Sequence, residues 1–325
     1  MSRGLVIGKF LPYHRGHASL IATASERCDE VTVVVCDSPH YGIPLDQRVR
    51  WIRQSAPDAR VMTMNGDELG LADDDSAGWA RATIEAIGRP DVVFSSEHYG
   101  PRYAELMKSE HMMVDLEREK VSISATEIRL DLLGNLRYLE PHVRADLIPR
   151  IAVLGAESTG KTTLCSDLSE RLGVPYVPEF GRLYTEAMPD PPRYTWSRRD
   201  FEVIAETQVR FEDDAARWVD GPLICDTNPF VTAVFAEAYL GEPMGNLEAV
   251  AADRTYALHV LTDPTTPFEH DSTGLRVDGE RRQWMHRRYL EHLTRTGAHF
   301  IEVSGDRGSR VGQALDAIDE LADVR

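Results

Sequence analysis

The stretch "GAESTGKT" at 155–162 constrains the fold of this chain more than any other feature. It places Gly155, Gly160, Lys161 and Thr162 at the fixed positions of the phosphate-binding pattern GxxxxGK[ST]. The apolar run "IAVLG" precedes this phosphate loop and a helical pattern follows it, as the motif requires. Such a loop follows the first strand of its domain, yet about 150 residues precede it here. The sequence therefore predicts a further domain ahead of the loop.

Apolar β-rich runs alternate with helical patterns along both halves, which predicts an α/β fold with two parallel-sheet domains. Pro141 and Pro149 interrupt the pattern between the halves, so we place the domains at 1–148 and 149–325. Strands are expected at 5–8, 31–36, 60–64, 91–96 and 111–116, and then at 151–155, 223–226, 256–263 and 300–304. Helices of the second domain are expected at 161–172, 198–218, 280–295 and 309–322.

The composition excludes several classes of function. A formal net charge of −17 disfavours sequence-independent binding to DNA or RNA, because phosphate backbones attract basic surfaces. The N-terminal "MSRG" leads directly into an apolar strand, which predicts no signal peptide, and the apolar runs are too short to span a membrane. The four cysteines are widely spaced and form no metal-binding pattern, so we expect reduced cysteines in a cytoplasmic protein.

The chemistry of the phosphate loop follows from its residue types. Its glycines let backbone N–H groups surround phosphates, and the helix N-terminus favours negative charge. Lys161 is predicted to reach the β- and γ-phosphates of ATP, and the Thr162 hydroxyl is predicted to bind Mg²⁺. The chain has four lysines against 32 arginines, so a lysine would rarely occur in this motif by chance. The predicted ATP contacts of this domain are Gly155, Glu157, Ser158, Thr159, Gly160, Lys161, Thr162 and Thr163.

Carboxylates close to this loop are candidates for the transfer chemistry. Asp226 ends the strand "LICD", where it would bind Mg²⁺ or accept the proton of an attacking hydroxyl. The alternative is that Asp226 caps the next helix. "PEFGRLY" places Glu179 and Arg182 three residues apart, which on residues alone fits a surface ion pair equally well.

The polar, arginine-rich stretch 269–282 lies between a strand and a helix. This composition is typical of a lid over transferring phosphates, with Arg276 and Arg281 as charge stabilisers, although a solvated loop reads similarly. No guanine-reading NKxD follows the last strand. The second domain is therefore predicted to be a small-molecule kinase rather than a GTPase.

The first domain carries the motif H-x-G-H in "GKFLPYHRGH", with His14, Gly16 and His17 just after the first strand. If a helix starts here, both imidazoles lie on one face near its N-terminus, a favourable place for phosphate. The motif is short, and two surface histidines are the alternative.

A partner motif supports the phosphate interpretation. "ISATEIR" at 123–129 has Ser124 and Thr126 before a helix and Arg129 in its first turn. Hydroxyl groups that cap a helix carrying an arginine form a second phosphate cradle.

These two motifs resemble those of the nucleotidyltransferase superfamily, (H/T)xGH and ISxTxxR. "FSSEHYG" at 94–100 is similar to the substrate segment of nicotinamide mononucleotide adenylyltransferases. Together with the kinase domain, the chain resembles the bifunctional nicotinamide mononucleotide adenylyltransferase/ribosylnicotinamide kinase family over nearly its whole length. Some members carry an N-terminal helix-turn-helix and act as repressors. Because this chain starts at the first strand, no repressor role is expected.

The resemblance implies roles for individual residues. It implies a Rossmann-like first domain that binds ATP through Gly8, Lys9, Phe10, Gly16, Ser124 and Thr126 and acts through His14, His17 and Arg129. Trp79 would stack on the nicotinamide ring, or else belong to the core, and Glu97 and Tyr99 would contact substrate. In the kinase domain, the resemblance supports Glu179, Asp226 and the lid arginine Arg276, and Arg182 is a further predicted substrate contact. Family members often have a second Asp after "DT", whereas Asn228 stands here, which leaves its metal or ribose contact open.

The implied reactions convert nicotinamide riboside to its mononucleotide with ATP and Mg²⁺, and the mononucleotide to NAD with a second ATP. Two alternatives stay open: a nucleotide sensor without turnover, and a fusion from another cofactor pathway. The oligomeric state is open as well, although homo-oligomers are common among nucleotidyltransferases. The acidic run 67–75 is expected to be a solvated loop.

Overall fold

The computed structural model describes residues 1–116, 119, 121–265 and 279–323. The chain divides into two compact units, Met1–Arg144 and Ala145–Arg325. A helix at Pro141–Leu147 spans this division, so the boundary predicted between residues 148 and 149 stays a prediction.

The first unit contains a five-stranded parallel sheet in the order β3-β2-β1-β4-β5. Its strands are β1 (Arg3–Gly8), β2 (Glu30–Asp37), β3 (Arg60–Asn65), β4 (Val92–Ser95) and β5 (Glu110–Met113). In β1, Leu5 and Val6 point to opposite faces and both are fully buried. Parallel sheets are covered on both faces, which explains why this strand reads as a continuous apolar run.

The helices of the first unit connect and cover this sheet. They are α1 (Arg15–Arg27), α2 (Leu45–Ser55), α3 (Gly66–Leu69), α4 (Ser76–Ile87), α5 (Gly100–Met107) and α6 (Ala125–Leu130), with α7 (Pro141–Leu147) at the division. A 3-10 helix lies at Leu133–Tyr138. The acidic run 67–75 is partly ordered rather than simply a solvated loop. It supplies most of α3, and the Asp75 carboxylate caps α4 by accepting from Gly78 N at 2.9 Å.

The second unit contains another five-stranded parallel sheet, in the order β10-β9-β6-β8-β7. Its strands are β6 (Arg150–Leu154), β7 (Tyr176–Val177), β8 (Leu223–Asp226), β9 (Leu258–Thr262) and β10 (Phe300–Val303). Its helices are α8 (Lys161–Leu172), α9 (Phe180–Glu186), α10 (Arg198–Ala216), α11 (Pro229–Leu240), α12 (Gly245–Ala252), α13 (Gly279–Thr296) and α14 (Arg307–Asp323), with a 3-10 helix at Pro191–Arg193. The four helices predicted for this domain are confirmed to within a few residues.

Both sheets place their first strand in the centre, as β1 and β6. Both predicted phosphate motifs follow these central strands. They therefore lie at the carboxyl ends of central parallel strands, where α/β folds bind ligands. In the described part of the chain, no helix combines the length and the apolar character needed to cross a membrane.

Candidate active sites

The phosphate loop joins β6 to α8. Ser158 (φ 54°) and Gly160 (φ 84°) both adopt the left-handed backbone conformation, which lets the chain turn tightly before the helix. Within the described residues, no side chain caps the N-terminus of α8. Its first N–H groups are therefore available to an anion, together with the positive end of the helix dipole.

Lys161 and Thr162 occupy the first turn of α8. Lys161 is buried, and its Nζ donates to the Ala156 carbonyl at 3.1 Å. Thr162 Oγ1 donates to Asp226 Oδ2 at 2.6 Å, which brings the end of β8 to the phosphate loop. Burial raises the pKa of Asp226, while the Lys161 ammonium and the Thr162 hydrogen bond act in the opposite direction.

The residues at this point fit a magnesium ion. Asp226 is only 1% exposed, and its Oδ1 has no hydrogen-bond partner among the described residues. A buried carboxylate oxygen beside a hydroxyl supplies the hard oxygen ligands that Mg²⁺ prefers. The described part of the chain holds no cluster of three or more His, Cys, Asp or Glu side chains arranged for a metal.

The cap of α11 is Asn228 and not Asp226. Asn228 Oδ1 accepts from Val231 N at 3.1 Å, so the alternative role considered for Asp226 is excluded. Thr227, between the two, has φ 74°, an unfavourable conformation for a β-branched residue. The side-chain oxygen of Asn228 is engaged in the cap, and its predicted contact with substrate stays a prediction.

A cleft with aromatic walls opens beside the phosphate loop. We call it the aromatic cleft; it encloses about 690 Å³ of empty space, its mouth included, and its lining contains Trp196, Phe201, Phe235 and Tyr239. Trp196 stacks on Phe201 with ring centres 5.1 Å apart and lies 5.5 Å from Tyr239. The predicted residues Glu157, Ser158, Lys161, Glu179 and Arg182 line the same cleft. The structure therefore brings Glu179 and Arg182 to the phosphate loop and not to a remote surface.

Glu179 has the most unusual ionisation in the aromatic cleft. Burial raises its pKa to about 7, with Lys161 and Arg182 opposing this effect and the carboxylates of Asp226 and Glu157 adding to it. A carboxylate with a pKa near neutrality is suited to accept a proton during catalysis.

Three arginines approach the phosphate loop or the cleft. Arg281 lies over Tyr239, with its guanidinium carbon 5.8 Å from the ring centre. Arg282 Nη2 lies 3.4 Å from the Ser158 carbonyl, and Arg310 Nη1 donates to the Thr159 carbonyl at 3.1 Å. The other predicted lid residue, Arg276, lies outside the described residues, as do 266–278 in general.

In the first unit, the two histidines form the start of α1. His14 Nδ1 accepts from Gly16 N at 3.0 Å, and His17 Nδ1 accepts from His14 N at 3.3 Å. Their ring centres are 3.9 Å apart. Because backbone N–H groups donate to both Nδ1 atoms, each neutral imidazole carries its proton on Nε2. Burial, together with the neighbouring His14, holds the pKa of His17 well below its usual range.

The "ISATEIR" motif meets the loop that follows β1. Arg129 Nη1 donates to the Leu11 carbonyl and Arg129 Nη2 donates to Thr126 Oγ1 at 3.0 Å. Ser124 caps α6 in a reciprocal arrangement with Glu127, since Ser124 Oγ accepts from Glu127 N at 3.1 Å. Residues 118 positions apart in the chain are thus brought together, as the phosphate-cradle interpretation requires. Thr126 lies within α6 and Arg129 in its last turn, not before the helix and in its first turn as predicted.

A large opening beside these motifs, which we call the N-terminal pocket, is an open depression that holds about 2020 Å³ including its wide mouth. The predicted residues in its lining are Gly8, Lys9, Phe10, His17, Trp79, Glu97, Tyr99, Thr126 and Arg129. His14, Gly16 and Ser124 line an adjoining depression that shares His17 and Glu97 with it. Every site residue predicted for this domain therefore lies in one of two neighbouring depressions.

Trp79 lies in the core and also borders the N-terminal pocket, and its stacking on the nicotinamide ring stays a prediction. It is 6% exposed and packs in the core with Met64 and Tyr103, and it also contributes to the lining of the N-terminal pocket. Its indole Nε1 donates to the Ala72 carbonyl at 2.9 Å, which fixes the ring against the loop before α4. Tyr99 is 40% exposed and donates its hydroxyl proton to the Ile7 carbonyl at 2.8 Å.

Lys9 is held by a carboxylate in the N-terminal pocket. Its Nζ lies 2.6 Å from Asp73 Oδ2, and the Tyr41 hydroxyl donates to Asp73 Oδ1 at 2.8 Å. Burial opposes the charged form of Lys9, but the hydrogen bonds and charges of Asp73 and Tyr41 together outweigh it and raise the lysine pKa. Arg48, which is fully buried, donates to the Lys9 carbonyl at 2.8 Å and the Cys36 carbonyl at 2.9 Å.

Comparisons with known proteins agree with this two-unit arrangement. Residues 5–131 match the family described as cytidylyltransferase-like, and residues 150–310 match the family described as an AAA domain. The chain is 26% identical to the trifunctional NAD biosynthesis/regulator protein NadR of Escherichia coli (strain K12), and the match covers 98% of this chain and 83% of that protein. It is 25% identical to the protein of the same name from Salmonella typhimurium (strain LT2), with the same coverage.

The chain is thus similar to NadR proteins over nearly its whole length. Two solved structures of NadR share its fold, each with a TM-score of 0.75 over 100% of this chain and 97% of theirs. One is a NadR protein in complex with NR, at 24% identity, and the other is in complex with NAD and AMP-PNP, at 23% identity. The predicted fold class, two parallel-sheet domains with a nucleotidyltransferase-like unit followed by a kinase-like unit, is confirmed.

Several residues of the two NadR-type sites had no signal strong enough to be found in the sequence. Trp196 lies in an irregular segment between helices, and Asp73 lies within an acidic run that reads as a solvated loop. Arg48 looks like one of many arginines on an amphipathic helix. Of the neighbouring arginines, the sequence predicts Arg281, whereas Arg282 is the one that lies near the Ser158 carbonyl of the phosphate loop.

Proposed function

We propose that this chain makes NAD in two steps, phosphorylating nicotinamide riboside and then adenylylating the resulting mononucleotide. Both steps use ATP, and the second releases pyrophosphate. The relatives named NAD biosynthesis proteins support this proposal, as do the NadR structures with NR, NAD and AMP-PNP. The observation in this chain that carries it is the aromatic cleft beside Lys161, Thr162 and Asp226, because it can hold a planar ring next to a phosphate site.

The chemistry of the aromatic cleft fits a pyridinium nucleoside. Nicotinamide riboside carries a positive charge on its ring, and aromatic faces attract cations. Trp196 and Tyr239 offer such faces, and Glu157 and Glu179 add negative charge to the same lining. A neutral base would gain the stacking but not the electrostatic attraction. The cleft therefore favours a cationic ring.

In the kinase step, the 5′-oxygen of the riboside bonds to the γ-phosphorus of ATP, and the bond to the bridging oxygen breaks to release ADP. Lys161 and the N–H groups of the phosphate loop offset the charge on the transferred group. Glu179 accepts the hydroxyl proton, because it lines the cleft and has a pKa of about 7. Arg281 and Arg282 approach from the start of α13 and add positive charge.

Asp226 and Thr162 would hold Mg²⁺ in this site. The ion would neutralise charge on the β- and γ-phosphates when it is bound. Asp226 is nearly inaccessible and is already bonded to the Thr162 hydroxyl, so metal binding suits it better than accepting the substrate proton. Asp226 would therefore hold the metal while Glu179 accepts the proton, two roles that the sequence had offered to Asp226 alone.

In the adenylyl transfer step, a phosphate oxygen of the mononucleotide bonds to the α-phosphorus of ATP, and pyrophosphate leaves. No protein nucleophile is required, since the attacking phosphate is already an anion. His14 and His17 present Nε2–H groups to the phosphates, and Arg129 adds positive charge from the last turn of α6. Lys9 joins them when a phosphate replaces Asp73 as its partner. Trp79 stacks on the nicotinamide ring, and Glu97 and Tyr99 contact the mononucleotide.

The four cysteines are free and buried, which supports placing both reactions in the reducing cytoplasm. The ligands are then nicotinamide riboside, nicotinamide mononucleotide, ATP and NAD, without nucleic acid or membrane.

Product analysis tests the proposal. The protein is incubated with ATP and Mg²⁺ and with either the riboside or the mononucleotide, and the products are identified by chromatography with mass detection. Riboside should yield the mononucleotide, ADP and NAD, and the mononucleotide should yield NAD and pyrophosphate. Accumulation of the mononucleotide without NAD would leave only the kinase. Absence of turnover with both substrates would replace the enzyme by a nucleotide sensor.

A further inference from the structure

A chain of hydroxyl groups joins the phosphate loop to the end of β9. Thr262 Oγ1 lies 2.6 Å from Thr159 Oγ1, to which it can donate its single proton, and 3.1 Å from the Leu154 carbonyl, the alternative acceptor. Thr159 Oγ1 in turn donates to the Ala156 carbonyl at 2.8 Å. Both threonines are 0% exposed. Because water does not reach these groups, their hydrogen bonding depends on one another.

The same arrangement reaches the loop lysine. Lys161 Nζ donates to the Ala156 carbonyl at 3.1 Å, so this carbonyl receives both the Thr159 hydroxyl and the lysine ammonium. Thr262, which is 103 residues from Thr159 in the chain, is thereby connected to the charged group that faces the nucleotide.

The two hydroxyls also lie directly against the loop backbone. A Cβ atom at Gly155 would lie 2.0 Å from Thr262 Oγ1 and 2.7 Å from Thr159 Oγ1. The first glycine of the motif is thus required here for close approach of the Thr262 side chain. The loop also holds Ser158 in the left-handed conformation, which persists only where the surroundings fix it.

We propose that Thr262 is a positioning residue of the kinase, whose hydroxyl fixes the phosphate loop so that Lys161 and the loop N–H groups meet the phosphates of ATP. The proposal rests on the kinase activity proposed above. Thr262 needs no contact with the nucleotide, since it acts through Thr159 and Gly155. Loss of its hydroxyl leaves buried groups without their partner and lets the loop relax. Catalysis that depends on preorganised donors is sensitive to such a change.

The test compares Thr262→Val, which keeps the shape but removes the hydroxyl, with Thr262→Ser, which keeps the hydroxyl. In the kinase reaction, Thr262→Val should raise KM for ATP about tenfold, the equivalent of one lost hydrogen bond. KM for nicotinamide riboside should change by less than about twofold, and Thr262→Ser should stay within about twofold of wild type. Thr207→Val is the matched control, because Thr207 is also buried but bonds to Arg210 at 3.1 Å.

The adenylyltransferase activity of the same molecules reports on folding and should be unchanged in every variant. Binding of ATP–Mg²⁺ is followed in parallel by titration calorimetry, with Lys161→Met identifying the heat that belongs to the phosphate loop. Unchanged ATP affinity in Thr262→Val, or equal weakening in Thr262→Val and Thr262→Ser, would overturn the proposal. If the wild type phosphorylates no riboside but Thr262→Val still weakens ATP binding about tenfold, the positioning role stands and the proposed substrate fails.

Discussion

The two units each place a predicted phosphate motif after a central parallel strand, but different groups occupy the helix N-terminus that follows. At the end of β6, the loop uses its own backbone: among the described residues, no side chain caps α8, and Lys161 rests on the Ala156 carbonyl. At the end of β1, a side chain occupies the helix N-terminus, because His14 caps α1 by accepting a hydrogen bond from Gly16 N.

This difference follows from which backbone N–H groups remain available for an anion at each helix N-terminus. The N–H groups of α8 can bind an anion directly, whereas Gly16 N at the start of α1 is already bonded to His14. The first site therefore depends on separate cationic or polar side chains that converge from several loops. The second depends on one loop conformation and the carboxylates around it. Substitutions should reveal this contrast in the two activities of one molecule.

The largest effect is expected from Lys161→Met. Removing the buried ammonium should lower kcat/KM of the kinase about a thousandfold or more, since no other group of the loop carries its charge. The adenylyltransferase rate with added mononucleotide should stay unchanged. Steady-state assays of both reactions on one preparation check this. A parallel loss of both activities would show that the two sites are not independent.

Glu179→Gln should lower kinase kcat about 10² to 10³-fold while keeping the shape of the cleft. Because the raised pKa of Glu179 lies at about 7, wild-type kcat/KM should fall tenfold per pH unit below that value as the base becomes protonated. Above pH 7 the carboxylate is ionised and the rate should be level. The kinase kcat/KM of wild type and Glu179→Gln, measured from pH 5.5 to 8.5, tests this. If the rate of Glu179→Gln still falls below pH 7, the base is another group.

His17→Ala should lower adenylyltransferase kcat about a hundredfold, because a donor to the phosphates is lost. His17→Asn, which retains a polar hydrogen-bonding group, should recover part of the rate. Kinase activity serves as the control and should be unaffected. Release of pyrophosphate is the readout, and an equal rate in wild type and His17→Ala would remove this histidine from the mechanism.

Asp73→Asn tests the paired lysine of the first site. Lys9 and Asp73 are both substantially exposed, so their ion pair contributes only a few tenths to about 1 kcal/mol. Freeing Lys9 for phosphate should lower KM for the adenylyltransferase substrates by up to about fivefold. Asp67→Asn provides a matched control in the same acidic run. A raised KM instead would mean that Asp73 contacts the substrate itself.

A last prediction concerns the stability of the second unit rather than an activity. Burial lowers the pKa of His259 to about 4, whereas an unfolded histidine titrates near 6.5. The unfolded chain binds the proton first as pH falls, so stability is present above about pH 6.5 and is lost towards pH 4. Between pH 7 and 5 this amounts to about 2 kcal/mol. Urea unfolding of wild type and His259→Asn, with the exposed His98→Asn as control, should show a smaller pH dependence in His259→Asn alone.

The sequence predicted the elements around both motifs well. The strand "IAVLG", the phosphate loop and the helix 161–172 form one local unit whose spacing allows little choice. The acidic run was predicted less well, because a solvated loop and a loop that supplies Asp73 to a lysine have the same composition. Asp226 shows an intermediate case: its place at a strand end was predictable, but its exclusion from the helix cap depended on Asn228.

What the sequence determined by itself was the pair of phosphate motifs, each with its strand and helix, because these depend on residues within about ten positions of one another. Only the tertiary structure decided which distant groups complete them. Arg129 meets Leu11 across 118 residues, and Thr262 meets Thr159 across 103. Such contacts follow from the order of strands in each sheet, and that order results from packing the whole domain rather than from any local pattern.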